Sequence, residues 1–189
     1  MPSCECGFEY NEGTVVCWQC GDLLTESSVP VQSHTSCVLV CGKKQEIDPF
    51  KPALILHLIS CFEVTFQEGE ETITIPLDVL STPVRIGRRD ENQDPPIIPE
   101  VDLTPLLERH WDQRFRPPIS RLHAALQMEN GKPAIKHLVE RTSKTWVRHS
   151  GDRRKHLLPL NLPLILKDRD VLYLGHQDFG LIKMRVCLL

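Results

Sequence analysis

Two short groups of residues in the middle of the chain carry side chains that can bind an anion. The first is Ile86-Gly87-Arg88, in which glycine lets the backbone turn directly before an arginine. The second is Ser120-Arg121-Leu122-His123, which offers a hydroxyl, a guanidinium and an imidazole within four residues. If the fold brings the two groups together, they predict a site for a phosphoryl group, because guanidinium and hydroxyl donors bind phosphate oxygens strongly.

The flanking residues indicate how the chain positions both groups. Val84 and Ile86 alternate with the polar Arg85, the pattern of a strand that ends at Gly87. Pro117-Pro118 precedes the second group, and consecutive prolines exclude helix and restrict the direction of the chain. We therefore expect Arg88 at the end of a strand and Ser120 in a loop.

This order of motifs, Ile-Gly-Arg followed by Ser-x-x-His, resembles the forkhead-associated (FHA) domain, a β-sandwich that reads phosphothreonine. The resemblance covers roughly residues 52–187. Arg-Thr-Ser-Lys-Thr-Trp-Val at 141–147 stands where the family has Ser-Thr-Asn-Gly-Thr-x-Val, and 168–175 is similar to its late Gly-Asp-x-Ile-x-Leu-Gly strand. The resemblance implies an all-β, antiparallel fold of two sheets and a non-enzymatic domain that binds phosphothreonine peptides.

The resemblance also implies roles for individual residues. The residues expected to contact the phosphopeptide are Arg88, Ser120, Arg121, Thr142, Ser143 and Lys144. Gly87 and His123 are expected to support the site. Ser143-Lys144 replaces the Asn-Gly of the family, in which the Asn holds the peptide backbone. Two functions therefore stay open: a phosphothreonine-dependent adaptor in signalling or assembly, and a phosphate-independent scaffold that keeps the fold.

Many short strands separated by turn signals independently favour a two-sheet sandwich. The sequence predicts strands at 52–59, 72–75, 84–86, 126–128, 134–138, 143–147, 164–166, 171–174 and 181–186. Asn130-Gly131 is a favourable tight turn between two of them.

One helix interrupts this series. Thr104 is a suitable N-cap, Pro105 suits the first helical position, and Leu107, Trp111 and Phe115 recur every fourth residue. The pattern predicts an amphipathic helix over 104–116 that packs on the sandwich. Alternatively, its basic residues form a wall of the peptide groove or a partner surface; these are Arg109, Arg114 and Arg116.

The N-terminal region contains two cysteine pairs, Cys4-Glu5-Cys6-Gly7 and Cys17-Trp18-Gln19-Cys20-Gly21. Two thiolate pairs on tight turns provide a tetrahedral site of four cysteine ligands, so we expect one structural zinc ion. The segment resembles the zinc ribbon found ahead of many bacterial regulatory domains.

Other ligand sets are compatible with the spacing. Cys17 and Cys20 can pair with Cys37 and Cys41, or with His34. The segment is too short for a hydrophobic core, so metal binding would supply most of its folding free energy.

The predicted organisation is a zinc ribbon at 1–24, a linker at 25–49 and the sandwich at 50–189. The linker is rich in Ser and Thr. Thr25 and Thr35 are candidate phosphorylation sites through which the linker would bind its own or another copy's FHA domain. An inert tether is the simpler interpretation.

Charge and hydropathy restrict the partners. The net charge is −3, but residues 1–27 contain five acidic residues and no Lys or Arg, so all 22 basic residues lie beyond them. The acidic end should repel duplex DNA. No apolar run approaches the roughly 20 residues of a membrane span, and the N-terminus does not have the pattern of a secretory signal. We therefore expect a cytoplasmic protein that has no membrane span and binds no nucleic acid.

Two residue pairs invite an enzymatic interpretation. His57 and Cys61 are predicted to share one face of a strand, and Ser120 with His123 is reminiscent of a hydrolase. Neither pair has an orienting third group or an oxyanion-forming glycine loop. We expect His57 and Cys61 to be core residues and the protein not to be an enzyme.

Overall fold

The computed structural model describes residues 51–67, 69–111, 118–140, 143–176 and 180–189, together with the backbone at 38–40 and 43–45. The four predicted zinc ligands, the alternative ligands and the linker residues Thr25 and Thr35 lie outside the described residues. The zinc site and the domain boundaries therefore stay predictions.

The regular secondary structure of the described chain is mostly β. Its strands are β1 (Val38–Val40), β2 (Lys43–Gln45), β3 (Ala53–Cys61), β4 (Val64–Thr65), β5 (Thr72–Pro76), β6 (Val84–Gly87), β7 (Val101–Asp102), β8 (Ala124–Glu129), β9 (Lys132–His137), β10 (Lys144–Arg148), β11 (His156–Leu157), β12 (Pro163–Ile165), β13 (Val171–His176) and β14 (Gly180–Leu188). One α-helix, α1 (Thr104–His110), and one short 3-10 helix at Leu77–Ser81 accompany them. No helix in the described part of the chain is long and apolar enough to cross a membrane.

Two sheets form the sandwich. The larger has seven strands in the order β11-β10-β13-β14-β3-β4, with β5 also paired to β3. The smaller has five strands in the order β12-β9-β8-β6-β7. The described pairs are antiparallel except β6 and β7, which run parallel, so the prediction of a wholly antiparallel fold is wrong at that edge.

Apolar side chains at every second position of a strand point to one face of the sheet, and the apolar faces of the two sheets pack together. Leu54 and Leu56 of β3 and Leu172 and Leu174 of β13 are fully buried, and they meet the buried Leu126 of the smaller sheet in one hydrophobic core. Each fully buried Leu contributes roughly 1.5–3 kcal/mol relative to an exposed one. This burial holds the two sheets together, and with them the strand ends that carry the candidate site.

A β-bulge in β3 changes which residues face the core. Lys183 pairs with Ser60 but Met184 pairs with Leu58, so Ile59 is the extra residue. His57, paired with Arg185, consequently faces away from the core, whereas Cys61, paired with Ile182, is fully buried. The prediction that His57 and Cys61 share one face is wrong because the bulge shifts the alternation between them.

The helix is shorter than predicted. Its N-cap is Leu103, and the Thr104 hydroxyl accepts a hydrogen bond from the Arg89 backbone N–H (2.8 Å), so Thr104 is not the cap. Trp111 ends the helix in an extended conformation and packs on Phe62, with ring centroids 4.5 Å apart. Leu106 and Leu107 are buried in the core. Phe115, Arg114 and Arg116 lie outside the described residues.

Candidate functional site

The two sequence groups lie side by side at one end of the sandwich. The Arg88 backbone N–H donates to the Ser120 carbonyl (3.2 Å), and the His123 N–H donates to the Ile86 carbonyl (2.8 Å). A Cβ on Gly87 would lie 2.0 Å from the Arg121 carbonyl oxygen, which no real side chain tolerates. Glycine at 87 is therefore what lets the Ser120 loop reach the end of β6.

The side chain of Arg88 also contacts the loop that carries Ser120. Its Nε donates to the carbonyl of Ile119 (3.1 Å), using one of the five N–H donors of a guanidinium. Ile119 is buried, whereas Arg88 and Ser120 are both half-buried. The structure thus brings a guanidinium and a serine together where solvent still reaches both residues.

His123 connects this loop to the larger sheet. The ring is fully buried, its Nδ1 accepts from the Ser120 N–H (3.3 Å), and its Nε2 lies 2.9 Å from the Lys144 carbonyl. Because Nδ1 accepts, Nε2 carries the proton and donates. Burial lowers the pKa of His123 to about 3, although the Lys144 carbonyl acts in the opposite direction, so the ring is neutral at physiological pH.

The contact between His123 and the Lys144 carbonyl brings the first residues of β10 beside the Ser120 loop. Lys144 opens β10, pairs with Gly175 and is half-buried. Ser143, which stands where the FHA family has Asn, is buried. Thr142 lies outside the described residues. The structure therefore brings Lys144 next to the Ser120 loop and encloses much of Ser143.

Arg121 faces a carboxylate. Its Nε lies 2.5 Å from Asp90 Oδ2, and the Asp90 side chain is only 10% exposed. A similar pairing joins Arg89 to Asp102, with Nε and Oδ2 3.1 Å apart. Sequence reasoning missed Asp90, although acidic residues recur after the Arg88-Arg89 pair at Asp90, Glu91, Asp94, Glu100 and Asp102.

Arg85 is paired in the same way. Its backbone N–H and its Nε both reach Glu100 Oε2, at 2.8 and 2.9 Å. Partial burial alone raises the pKa of Glu100, but the hydrogen bonds from Arg85 outweigh it and leave that pKa below its usual range. Arg85 therefore links β6 to Glu100, the residue before β7.

A second buried histidine lies behind the site. His137 Nδ1 is 3.0 Å from Thr145 Oγ1, and its ring packs on His123 with centroids 5.5 Å apart. Burial lowers the pKa of His137 as well. The signal in the sequence that could have indicated this contact is a polar residue at core-facing positions of both β9 and β10.

The two candidate enzymatic pairs lack the required geometry. Both ring nitrogens of His123 contact main-chain atoms, so the imidazole is not placed to accept the Ser120 hydroxyl proton. Burial raises the pKa of Cys61 to about 12, with the charge of Arg109 lowering it in part, so the thiol stays protonated. Among the described residues, no group of three or more His, Cys, Asp or Glu is arranged to hold a metal ion.

Comparison with known proteins returned structural neighbours. No protein-family model and no curated protein matches the chain. The fold is similar to full-length yeast Pml1p, with 11% identity over 76% of this chain and 87% of that chain and a TM-score of 0.50. It also matches the FHA domain of an Arabidopsis thaliana hypothetical protein (16% identity, 84% and 94% coverage, TM-score 0.47). A third match is the FHA domain of human APLF in complex with an XRCC1 bisphospho peptide (18% identity, 71% and 97% coverage, TM-score 0.40).

These identities do not exceed 18%, so the comparisons concern the fold alone. The described chain is mostly β, with a sandwich of two sheets, a separate two-stranded β1–β2 pair and one α-helix. The predicted fold class is confirmed to that extent.

Proposed function

We propose that this protein is a non-enzymatic adaptor that binds phosphothreonine-containing peptides at Arg88 and Ser120. The observation that supports the proposal is the pair of contacts between Arg88 and the Ser120 loop, Arg88 N–H to Ser120 O and Arg88 Nε to Ile119 O. These contacts order a guanidinium and a hydroxyl-bearing loop before any ligand arrives, which lowers the entropic cost of binding.

The chemistry of the ligand matches these donors. A phosphothreonine carries a charge of about −1.5 to −2 and three strong acceptor oxygens. Arg88, the Ser120 hydroxyl and a loop N–H would each donate a hydrogen bond of roughly 1.5–3 kcal/mol to a charged group. Two or three such bonds plus a few backbone contacts give about −8 kcal/mol, a micromolar affinity suited to reversible signalling.

Two observations favour a second candidate function, a phosphate-independent scaffold with the same fold. Arg121 already faces Asp90, and Ser143 is buried where the FHA family uses an Asn to hold the peptide. Loss of that amide contact weakens peptide binding by roughly 1–3 kcal/mol. In this case the partner surface would include α1 and would not depend on phosphorylation.

The rest of the chain fits a cytoplasmic signalling or assembly protein. We propose that residues 1–24 form a ribbon with one structural zinc on Cys4, Cys6, Cys17 and Cys20. Phosphorylated Thr25 or Thr35 would be ligands for the chain's own site or for another copy.

One experiment separates the two functions. The full-length protein is used to screen a phosphothreonine peptide library, and partners are captured from extract with and without phosphatase treatment. We expect selected phosphopeptides to bind, capture to be lost after phosphatase, and Arg88→Ala to weaken binding tenfold or more. Lys132→Ala, at an exposed hairpin position, is the control and should bind as wild type. Capture that survives phosphatase and Arg88→Ala would establish the scaffold instead.

A further inference from the structure

The loop that carries Ser120 lies between side chains of opposite charge. At Arg121 the loop faces Asp90, whose Oδ2 lies 2.5 Å from Arg121 Nε. At His123 the loop contacts Lys144, because the ring accepts from the Ser120 N–H (3.3 Å) and reaches the Lys144 carbonyl (2.9 Å). A single imidazole therefore separates the backbone of Ser120 from that of Lys144.

The backbone of Lys144 has a fixed position beside the loop. Its carbonyl contacts His123 Nε2, and Lys144 pairs with Gly175 in the ladder between β10 and β13. The residue directly opposite Lys144 thus has no side chain that would compete for the space beside the lysine stem. Lys144 is half-buried, and a lysine in this situation buries its stem and keeps its ammonium in contact with solvent.

The positive charge of Lys144 acts on the two histidines behind the site. Burial lowers the pKa of His137, and the nearby charge of Lys144 lowers it further. The His137 ring packs on His123, with ring centroids 5.5 Å apart. The ammonium therefore lies close to the residues that support the Ser120 loop, and its flexible stem lets it approach a ligand bound at that loop.

Lys144 differs from other cations near the site in lacking a carboxylate partner. Arg121 faces Asp90, and Arg89 Nε lies 3.1 Å from Asp102 Oδ2. No carboxylate in the described part of the chain forms an ion pair with Lys144. A carboxylate supplied by a ligand would thus find a partly desolvated ammonium without a counter-ion, whereas near Arg89 and Arg121 it would compete with carboxylates of the protein.

From this asymmetry, we propose that Lys144 makes the site select phosphothreonine peptides that carry a carboxylate near the phosphothreonine, on one side of it only. The proposal rests on the phosphopeptide function proposed above for Arg88 and Ser120. An extended peptide advances about 3.3 Å per residue, so a carboxylate within three residues of the phosphothreonine lies within about 10 Å of it. An acidic residue on the other side of the phosphothreonine gains little, because Arg121 is already paired with Asp90.

Binding of matched peptides to the full-length protein tests this selectivity. A phosphothreonine peptide from the library screen is varied at the three positions before and the three after the phosphothreonine, with Asp in one peptide and Asn in its partner. We expect Asp to bind about two- to fivefold more tightly than Asn on one side only, the size expected for a partly exposed ion pair, measured by fluorescence anisotropy. The difference should nearly vanish at about 1 M salt, where charges are screened beyond roughly 3 Å.

Variants of Lys144 assign the preference to one side chain. Lys144→Gln should bind the Asp and Asn peptides equally, Lys144→Arg should keep the preference, and Lys144→Glu should reverse it, because only the charge at this position changes sign. Lys132→Gln is the matched control and should keep the wild-type preference, since Lys132 lies at the opposite end of β9 from His137.

The outcomes separate this proposal from the phosphopeptide function on which it rests. If phosphothreonine peptides bind but Lys144→Gln keeps the wild-type ratio of Asp to Asn affinities, Lys144 does not select the ligand, and the phosphopeptide function stands without it. Equal binding of Asp and Asn peptides by wild type at all positions would overturn the proposal in the same way. If no phosphothreonine peptide binds, the proposed function fails and the selectivity fails with it.

Discussion

The Arg121 carbonyl oxygen lies only 2.0 Å from the position that a Cβ on Gly87 would occupy. Arg121 and Gly87 belong to the two sequence groups from which the candidate site was predicted. Their close approach is a main-chain contact between segments more than thirty residues apart. The local geometry of the site thus depends on the absence of a side chain at one position.

Gly87→Ala should destabilise the fold and disrupt the site. The added methyl meets main-chain atoms that cannot move aside like a side chain, so we expect the free energy of unfolding to fall by about 3 kcal/mol. Urea denaturation measures the change. Gly151→Asn is the control, because its φ is +84°, Asn tolerates that conformation and no atom lies within 4 Å of its Cβ. Equal stability of Gly87→Ala and wild type would show that the loop does not approach Gly87 this closely.

His123 should make stability depend on pH. Its pKa falls from 6.5 to about 3 on burial, so the unfolded chain binds the proton more readily. The contribution of the neutral, buried His123 to the free energy of unfolding is complete above pH 6.5 and is lost as the pH falls toward 3. Between pH 7.5 and 5 the loss is roughly 2 kcal/mol.

The matched variant for this prediction is His123→Gln, which keeps a side-chain amide but does not titrate. Urea midpoints at both pH values should show a smaller pH dependence in the variant than in wild type. If the two proteins lose the same stability between pH 7.5 and 5, His123 is not the group that titrates.

Asp90→Asn should strengthen phosphopeptide binding. Asp90 Oδ2 lies 2.5 Å from Arg121 Nε, and removing its charge makes Arg121 a better donor to a phosphate. We expect a gain of roughly twofold to tenfold, measured by fluorescence anisotropy. Glu100→Gln, which removes the partner of Arg85 outside the proposed site, should leave the affinity unchanged. Weaker binding by Asp90→Asn would mean that the ion pair supports the loop and does not compete with the ligand.

The zinc prediction is tested by metal content. The purified protein should contain one zinc ion per chain, and Cys4→Ser or Cys6→Ser should lower its retention strongly, because thiolate ligands supply the affinity. Cys37→Ser and Cys41→Ser should retain zinc as wild type does. The reverse result would support the alternative set of Cys17, Cys20, Cys37 and Cys41.

Local patterns were sufficient to predict most strands of the sandwich. The predicted 72–75 and 171–174 correspond to Thr72–Pro76 and Val171–His176, because alternation and turn residues are local signals. The bulge at Ile59 was not predictable, since it depends on how β3 pairs with β14. The helix end at His110 was also missed, because the stripe of Leu107 and Trp111 continues beyond it.

In the candidate site, too, local motifs predicted some features, whereas others depend on tertiary contacts. The motifs placed Arg88 and Ser120 in one site, and glycine at 87 has a clear steric reason. The ion pair of Arg121 with Asp90 joins residues 31 apart and depends on the path of the loop after β6. The contact of His137 with Thr145 depends equally on tertiary packing.

The coupling between Arg88 and the ligand phosphate tests the central claim most directly. The affinities of wild type and Arg88→Ala are measured by titration calorimetry for one selected peptide, with and without phosphate on its threonine. The four values form a double-mutant cycle, in which general effects of the substitution cancel. A charge-assisted contact predicts a coupling of roughly 1.5–3 kcal/mol. A coupling near zero, with the phosphate contributing equally to both proteins, would contradict the account.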